Sequence, residues 1–597
     1  MSKRVKDNKC LSSCWLYRTE CGRLTTALVT SLGILIIVLL FIHPVFMTID
    51  DARLKYVYAG YSTGEPVSTY LFCYYPLSLI LSTLYRILPG IPWYALYQFG
   101  VIGLGSALIG KTIYRIAYRK KIPFFMAIVL HIGLYLSLAL ISTIIMHFEI
   151  TAAVIATAGI VVLLGMDLKN DPLCLKITDG IVSAFCIALS FVIQFNAFYA
   201  ICCYLLVAAV VVIADAFKDE SIRKVVPQLL CYLLILAVFI GAVKISDNLS
   251  KNTPEWQQYM QYNKYRVSFW DYSHIDYHDN PELFERMGWS EEFYNLTQSM
   301  YFMDARFTGE NLSQFTERFS WFKLESFDVL VATAQETLQG LFKAERVAVL
   351  QTVVIFLFGF VIVLLCCSKR RWKEHYPQLL GLLCCFGGTL LLALFLAARG
   401  RLPLRAWMAF SMPSIATMLV LMLQICSTEN VRMAVAVRRS FMAGCLCVIW
   451  ILGMRWTYEK VIKMDWQWRA DCNTNTLMME QYVASHPENV YVYDHLGAQN
   501  YSVFSQYPSN EFRPSNAFVW GSSYLFTPAY QEQLNNNGID QLLTENLFDD
   551  NVYFITSSNG AYMDMLKEML AKDYGTFTAE PVDYIGETFT VYKFANK

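Results

Sequence analysis

Two adjacent carboxylates, Asp50 and Asp51, follow directly on the first long apolar block, in the order Thr48-Ile49-Asp50-Asp51-Ala52-Arg53. Neighbouring carboxylates at a membrane surface repel each other and are partly desolvated. Both effects raise a carboxyl pKa, which suits a general base. Read as the C-terminal end of a spanning helix, the pair is also badly placed, because the helix macrodipole is negative there. An unfavourable position points to function rather than to two solvated residues that mark a helix end. A third acid, Glu149, stands in His147-Phe148-Glu149, a short connection between the third and fourth apolar blocks. It approaches Asp50 and Asp51 if the first block packs against the third or fourth. Otherwise it is a polar cap at the membrane interface, and His147 is a satisfied interfacial residue. His147 and Glu65 are secondary candidates.

Arg399, Arg401 and Arg405 lie in Ala398-Arg399-Gly400-Arg401-Leu402-Pro403-Leu404-Arg405, between the ninth and tenth blocks. The guanidinium fork matches phosphate oxygens. Three of them in one short connection fit a phosphate-bearing lipid headgroup, or else snorkelling to ordinary lipid phosphates.

These residues need a membrane scaffold. Of the 597 residues, 56% are apolar and 16% charged, with 48 basic and 48 acidic side chains and a formal net charge of zero. An average soluble domain is about 25% charged. The apolar residues come in blocks of spanning length, which excludes a disordered chain, a collagen, a disulfide mini-protein and a nucleic-acid binder driven by net basic charge. Eleven blocks are legible: 24–46, 92–114, 123–146, 150–166, 177–193, 197–214, 226–245, 347–367, 376–398, 402–426 and 440–458. They predict helices, because a lipid-facing backbone must satisfy its own hydrogen bonds and no alternating barrel pattern occurs.

Twenty-two Lys and Arg fall on one side, in the head, around Arg115–Lys121, at Lys169 and Lys176, around Lys218–Lys224, around Lys369–Lys373 and around Arg432–Arg439. That side is predicted to be cytoplasmic. Eleven spans then leave the C-terminus outside, and Arg399, Arg401 and Arg405 oppose the rule. Segment 71–88 has helical apolar spacing, but crossing there would turn most basic clusters outward. It is therefore predicted to be an interfacial or re-entrant helix ending at Pro89-Gly90-Ile91-Pro92. The first span reads as a signal anchor without a cleavage site.

The expected organisation is a basic cytoplasmic head (1–23), a seven-span module (24–245) whose outer loop is 47–91, a large outer loop (246–346), a four-span module (347–458) and an outer tail (465–597). The tail predicts a small α/β domain, with strands at Asn489–Asp494, Asn551–Thr556 and Glu587–Phe594 and a helix at Tyr562–Lys572. Both outer parts are acidic: 246–345 holds 8 basic and 16 acidic residues, and the tail 6 and 17. The aromatics Trp256, Tyr259, Tyr262, Tyr265, Phe269, Trp270, Tyr272 and Tyr277 predict a membrane-interface belt rather than a sugar-stacking surface.

Most of the 17 Cys sit in or beside spans as small apolar residues; only Cys73 and Cys472 are expected outside, so no disulfide framework is predicted. Cys10, Cys14 and Cys21 lack paired zinc-ligand spacing, and no metal site is indicated. Sequons stand at Asn248, Asn295, Asn311 and Asn500. No Walker loop, GxSxG or HExxH pattern occurs, which disfavours a cytosolic nucleoside triphosphate as an activated substrate.

An acidic pair after a first span, an interfacial helix in the same loop, an acid in the next outer loop and Arg residues near a later one together resemble the GT-C class of integral-membrane glycosyltransferases. Gly60-Tyr61-Ser62-Thr63-Gly64-Glu65-Pro66 and Pro92-Trp93-Tyr94 are similar to uncharacterised bacterial proteins related to that class. The resemblance implies inverting transfer of a sugar from a polyprenyl-phosphate carrier to an acceptor hydroxyl of a cell-surface glycan or lipid. It implies Asp50 or Asp51 as the base, Glu149 in support, and Arg399, Arg401 or Arg405 on the carrier phosphate. The expected partners are that donor, that acceptor and the bilayer, with no nucleic acid and no cofactor. A divalent metal is compatible with the sequence but not indicated by it. The absence of a WWDxG-type signature disfavours transfer to protein Asn. The rival expectations are a polysaccharide polymerase or ligase, a transporter, and a non-enzymatic scaffold.

Overall fold

The computed structural model describes residues 15–218, 220–270, 276–316, 332, 335, 372–398, 404–425, 466–494, 501–504, 516–557 and 560–596. The predicted spans 347–367 and 440–458 lie outside these, as do Arg399 and Arg401.

Eight described helices are long and apolar enough to cross a membrane. They are α1 (Glu20–Phe41), α4 (Trp93–Arg119), α7 (Phe148–Gly165), α8 (Leu173–Ile193), α9 (Phe195–Lys218), α10 (Ile222–Ser250), α15 (Trp372–Ala398) and α16 (Leu404–Ile425). The predicted block 123–146 is helical but interrupted: α5 (Phe124–Leu134), a π turn (Tyr135–Ala139) and α6 (Leu140–Ile144). The chain is thus a multi-pass, α-helical membrane protein with a small sheet in its tail. Helix α7 is the centre of the bundle. Its Ala152, Ala153, Ala156, Ala158 and Gly159 let neighbouring helices approach closely, and it is almost wholly buried against α4, α8, α9 and α16. Helix α1 instead leaves Leu32, Ile36 and Leu40 exposed, as a lipid-facing helix does.

One end of the bundle carries Glu20, Arg23, Lys111, Arg115 and Asp179. Arg115, only 2% exposed, pairs with Asp179 and with Glu20 (2.5 Å). Arg23 and Arg115, expected as loop charges, are therefore fixed inside the inter-helix packing.

At the other end the first span stops earlier than expected. Helix α1 ends at Phe41 because His43 precedes Pro44, and a residue before proline is pushed towards extended backbone. The freed chain forms β1 (Val45–Phe46), which pairs in parallel with β2 (Ile145–Met146). A new helix, α2 (Ile49–Ala59), follows and closes at Gly60 in the left-handed conformation (φ 78°). A side chain at Gly60 would also meet the Glu65 backbone, 2.5 Å from its Cβ. Helix α3 (Tyr75–Ile87) is the predicted 71–88 segment. Its 13 residues are too few to span. The Tyr75 backbone NH donates to buried Asp247 of α10 at 3.0 Å, which anchors it.

The large loop folds into α11 (Pro254–Trp270), α12 (Pro281–Arg286), α13 (Glu291–Gln298) and α14 (Gly309–Thr316). Of its aromatics, Tyr265, Trp270 and Tyr277 are half-buried and Tyr272 lies outside the described residues. Trp256, Tyr259, Tyr262 and Phe269 are buried, and Phe269 packs on Trp289, Phe307 and Phe315. They make the core of a domain that has little aliphatic content.

The tail comprises α17 (Trp466–Ser485), β3 (Val490–Tyr493), β4 (Ala517–Val519), α18 (Pro528–Asn536), β5 (Val552–Ser557), α19 (Ala561–Tyr574), β6 (Phe577–Ile585) and β7 (Phe589–Asn596). The sheet order is β4-β3-β5-β7-β6, parallel over the first three strands and antiparallel over the rest. Strand β6 was not foreseen. It is an exposed edge interrupted by Pro581, a position where proline is tolerated and alternation is lost.

Candidate active site

The β1–β2 pairing brings the two short connections side by side. The Met47 NH donates to the Met146 carbonyl (2.8 Å), and the Phe46 NH donates to the Tyr501 carbonyl of the tail (2.8 Å). Asp50 and Asp51 therefore open α2 beside His147 and Glu149, which open α7. The sequence reading of the pair as a C-terminal helix end is overturned. Both acids lie in the first turn of α2, where the macrodipole is positive and an anion is favoured.

The two acids differ. Asp51 is fully buried, whereas Asp50 keeps part of its surface. Tyr94 Oη and Gln98 Nε2 donate to Asp51 Oδ1 at 2.8 and 2.9 Å. Gln98 in turn accepts from Thr151 Oγ1 at 2.8 Å, which fixes its amide. Tyr94 and Gln98 are four residues apart on α4, so they share one helix face. Asp51 Oδ2 lies 3.9 Å from His147 Nε2, too far for a hydrogen bond. Burial pushes the Asp51 carboxyl well above the usual range, against the lowering by Tyr94 and Gln98, and the Asp50 charge adds to the rise.

His147 caps α7, its Nδ1 accepting from the Glu149 NH at 3.1 Å. That bond assigns the ring proton to Nε2, facing Asp51. Burial, then the Arg405 charge, holds the imidazole neutral, well below its usual pKa. Glu149 Oε2 pairs with Arg405 Nε at 3.2 Å, and Gln194 Nε2 lies 3.4 Å from Oε1. Arg405 sits in the first turn of α16, where a cation is disfavoured, so the Glu149 contact offsets its position. Asp50, Asp51, His147, Glu149 and Arg405 are thus gathered at one end of the bundle. Arg399 and Arg401 lie outside the described residues. Glu65 is exposed in the turn after α2 and faces the tail; burial, then the Glu65 charge, raises the carboxyl of Glu532.

The sequence reading missed the other side of α2. Arg53 Nη2 donates to Tyr493 Oη (3.3 Å) and stacks over the Tyr524 ring (4.9 Å). Lys55 Nζ donates to the Ser502 carbonyl (3.0 Å), and Tyr56 Oη donates to Glu480 Oε1 (2.8 Å). Burial drives the Lys55 amine down to about 7 and the Glu480 carboxyl up to about 7. Helix α2 therefore lies between α4, which holds its acid, and the tail, which holds its cations. The i, i+4 pair Tyr94/Gln98 within an apolar block was a readable signal; Glu480, distant in sequence, was not. Among the described residues no group of three or more His, Cys, Asp or Glu could hold a metal ion.

No protein-family model matches the chain, and no curated protein matches its sequence. Among solved structures it is similar to ArnT from Cupriavidus metallidurans bound to undecaprenyl phosphate, at 11% identity and a TM-score of 0.39, over 96% of this chain and 98% of that one. It is also similar to the archaeal oligosaccharyltransferase AglB from Archaeoglobus fulgidus, in complex with an inhibitory peptide and a dolichol-phosphate. That match has 12% identity and a TM-score of 0.41, over 98% of this chain and 75% of that one. Both likenesses are loose.

Proposed function

We propose that this chain is a membrane glycosyltransferase that moves a sugar from a polyprenyl-phosphate carrier to an acceptor hydroxyl on the outer face, with inversion. The observation that carries the reading is the gathering of a partly exposed acid, Asp50, and a cation, Arg405, beside one buried acid–imidazole pair at the end of a membrane bundle. A base and a phosphate-binding cation are what displacement of a phosphate leaving group requires.

In this reading Asp50 takes the proton of the acceptor hydroxyl as its oxygen bonds to the anomeric carbon. The bond from that carbon to the phosphate oxygen breaks, and the carrier phosphate leaves with the electron pair. Arg405 stabilises the charge that develops on it, with Arg399 and Arg401 as further candidates. Asp50 is the better base because it keeps surface for an acceptor to reach. Asp51, with no surface, holds the start of α2 against Tyr94 and Gln98. Glu149 acts through Arg405 by fixing its guanidinium. The basic connections face the cytoplasm and the tail lies outside.

The test is sugar transfer from polyprenyl-phosphate sugars by membranes that contain the chain. Asp50→Asn and Arg405→Gln should each abolish most of it, and full activity in both would refute the assignment. Linkage analysis of the product separates single-sugar addition from the chain lengthening of a polymerase.

A further inference from the structure

Arg53 lies three residues after Asp50, so the two side chains project from one side of α2, about 4.5 Å apart along its axis. The guanidinium carries five N–H donors. Among the described residues it makes one hydrogen bond, the 3.3 Å contact to Tyr493 Oη, and no ion pair. Glu480 is close enough to feel its charge but is bonded to Tyr56 instead. Beside Arg53 stands Tyr70, fully buried, whose hydroxyl has no hydrogen-bond partner among the described residues. The Tyr524 ring lies under the guanidinium at 4.9 Å and within 6.4 Å of the Tyr70 ring. Unused donors of a cation and an unused buried hydroxyl thus flank the same Tyr524 ring on the tail side of α2. That donor set is complementary to an oxyanion, which accepts from all of them at once. Such groups left unpaired are rare in folded proteins and ask for a partner.

We propose that the cluster of Arg53, Tyr70, Tyr493 and Tyr524 is an oxyanion site that takes a phosphate or carboxylate group of the acceptor. This rests on the transfer reading above, in which the carrier phosphate belongs to Arg405 on the α7–α16 side. Arg53 lies on the tail side of the same acid. An acceptor anchored there by its anionic group presents a hydroxyl, a few bonds away, to Asp50. The substrate class implied is an anionic glycan or lipid. Tyr493 and Tyr524 make the tail part of the acceptor site.

The experiment uses the full-length chain in detergent and titrates inorganic phosphate calorimetrically in an Arg399→Gln, Arg401→Gln, Arg405→Gln background, which removes the cations assigned to the carrier phosphate and leaves the Arg53 cluster as the site under test. Saturable binding is expected, weakened tenfold or more by Arg53→Gln and by Tyr70→Phe. The second variant removes only a hydroxyl with no partner among the described residues, so a purely structural role for Tyr70 would leave binding unchanged. A short-chain polyprenyl phosphate, titrated in parallel into the Arg405-containing chain, should bind equally to the wild type and to both variants. The proposal is overturned by an absence of saturable phosphate binding. Phosphate binding that neither variant alters overturns it too, as does loss of the polyprenyl phosphate in Arg53→Gln, which would give the Arg53 cluster to the carrier. Because these readouts need no turnover, failure of the transfer reading at Asp50 is seen separately.

Discussion

Replacing Asp50 by Asn removes a charge and leaves the size of the side chain unchanged. The effect on the fold is small. Asp50 keeps part of its surface in the first turn of α2, so the change forfeits its interaction with the helix macrodipole, about 0.3–1 kcal/mol. The effect on transfer is large, because a positioned general base contributes roughly 100- to 10,000-fold, or about 3–5 kcal/mol of barrier. Loss of folding cannot account for a drop of that size. Asp51→Asn is the comparator. Its amide oxygen still accepts from Tyr94 and Gln98, but its NH2 group replaces the oxygen that faces the His147 Nε2 proton, so thermal stability should fall modestly. Transfer should fall only about tenfold, a figure on the order expected when the positioning of a base is loosened. The assay is the initial rate of label transfer from a polyprenyl-phosphate sugar at saturating donor, normalised to chain abundance, with thermal unfolding of each purified variant. Asp50→Asn within about threefold of wild type would refute Asp50 as the base at the scale expected of general-base catalysis. If Asp51→Asn then carried the full loss, the roles of the two acids would be exchanged.

Glu149→Gln breaks the 3.2 Å contact to Arg405 and should raise KM for the donor by about fivefold to tenfold with a smaller change in kcat, read from donor titrations. The Lys55 and Glu480 pair should give docking of the tail a minimum near neutral pH. Glu480 is raised from 4.5 to about 7, so its contribution is full below 4.5 and is lost as pH rises through about 7. Lys55 is lowered from 10.5 to about 7, so its contribution is full above 10.5 and is lost as pH falls through about 7. Thermal unfolding between pH 5 and 9 should show the dip, and Lys55→Met with Glu480→Gln should flatten it; an unchanged profile would refute the assignment. Gly521→Ala would put a Cβ 1.4 Å from the Met300 carbonyl oxygen, so the loop and tail must part at that point. A loss of about 3 kcal/mol, at the upper end of overpacking effects, should appear as a lowered Tm and faster proteolysis of the tail.

The apolar blocks alone determined that the chain is a helical membrane protein, because a segment of about 20 apolar residues has no other way to satisfy its backbone in lipid. They also placed most described spans to within a few residues. Strands β3, β5 and β7 and helix α19 were legible for a similar local reason: their apolar residues follow one period. The types of the functional candidates were legible too, as Asp50-Asp51, Glu149 and Arg405 are charges where a membrane sequence resists them. Their arrangement was not. Only the tertiary structure decided that α1 stops at Phe41 and that the acids open a new helix, since Pro44 acts locally but the parallel β1–β2 pairing joins residues about 100 positions apart. Only it separated a buried Asp51 from a partly exposed Asp50, because burial depends on Tyr94, Gln98 and His147 closing around one of them. The cations on the far face of α2 meet partners from a tail more than 400 residues away. A contact of that range leaves no period and no spacing in the sequence, and it exists only once the bundle and the tail have packed together.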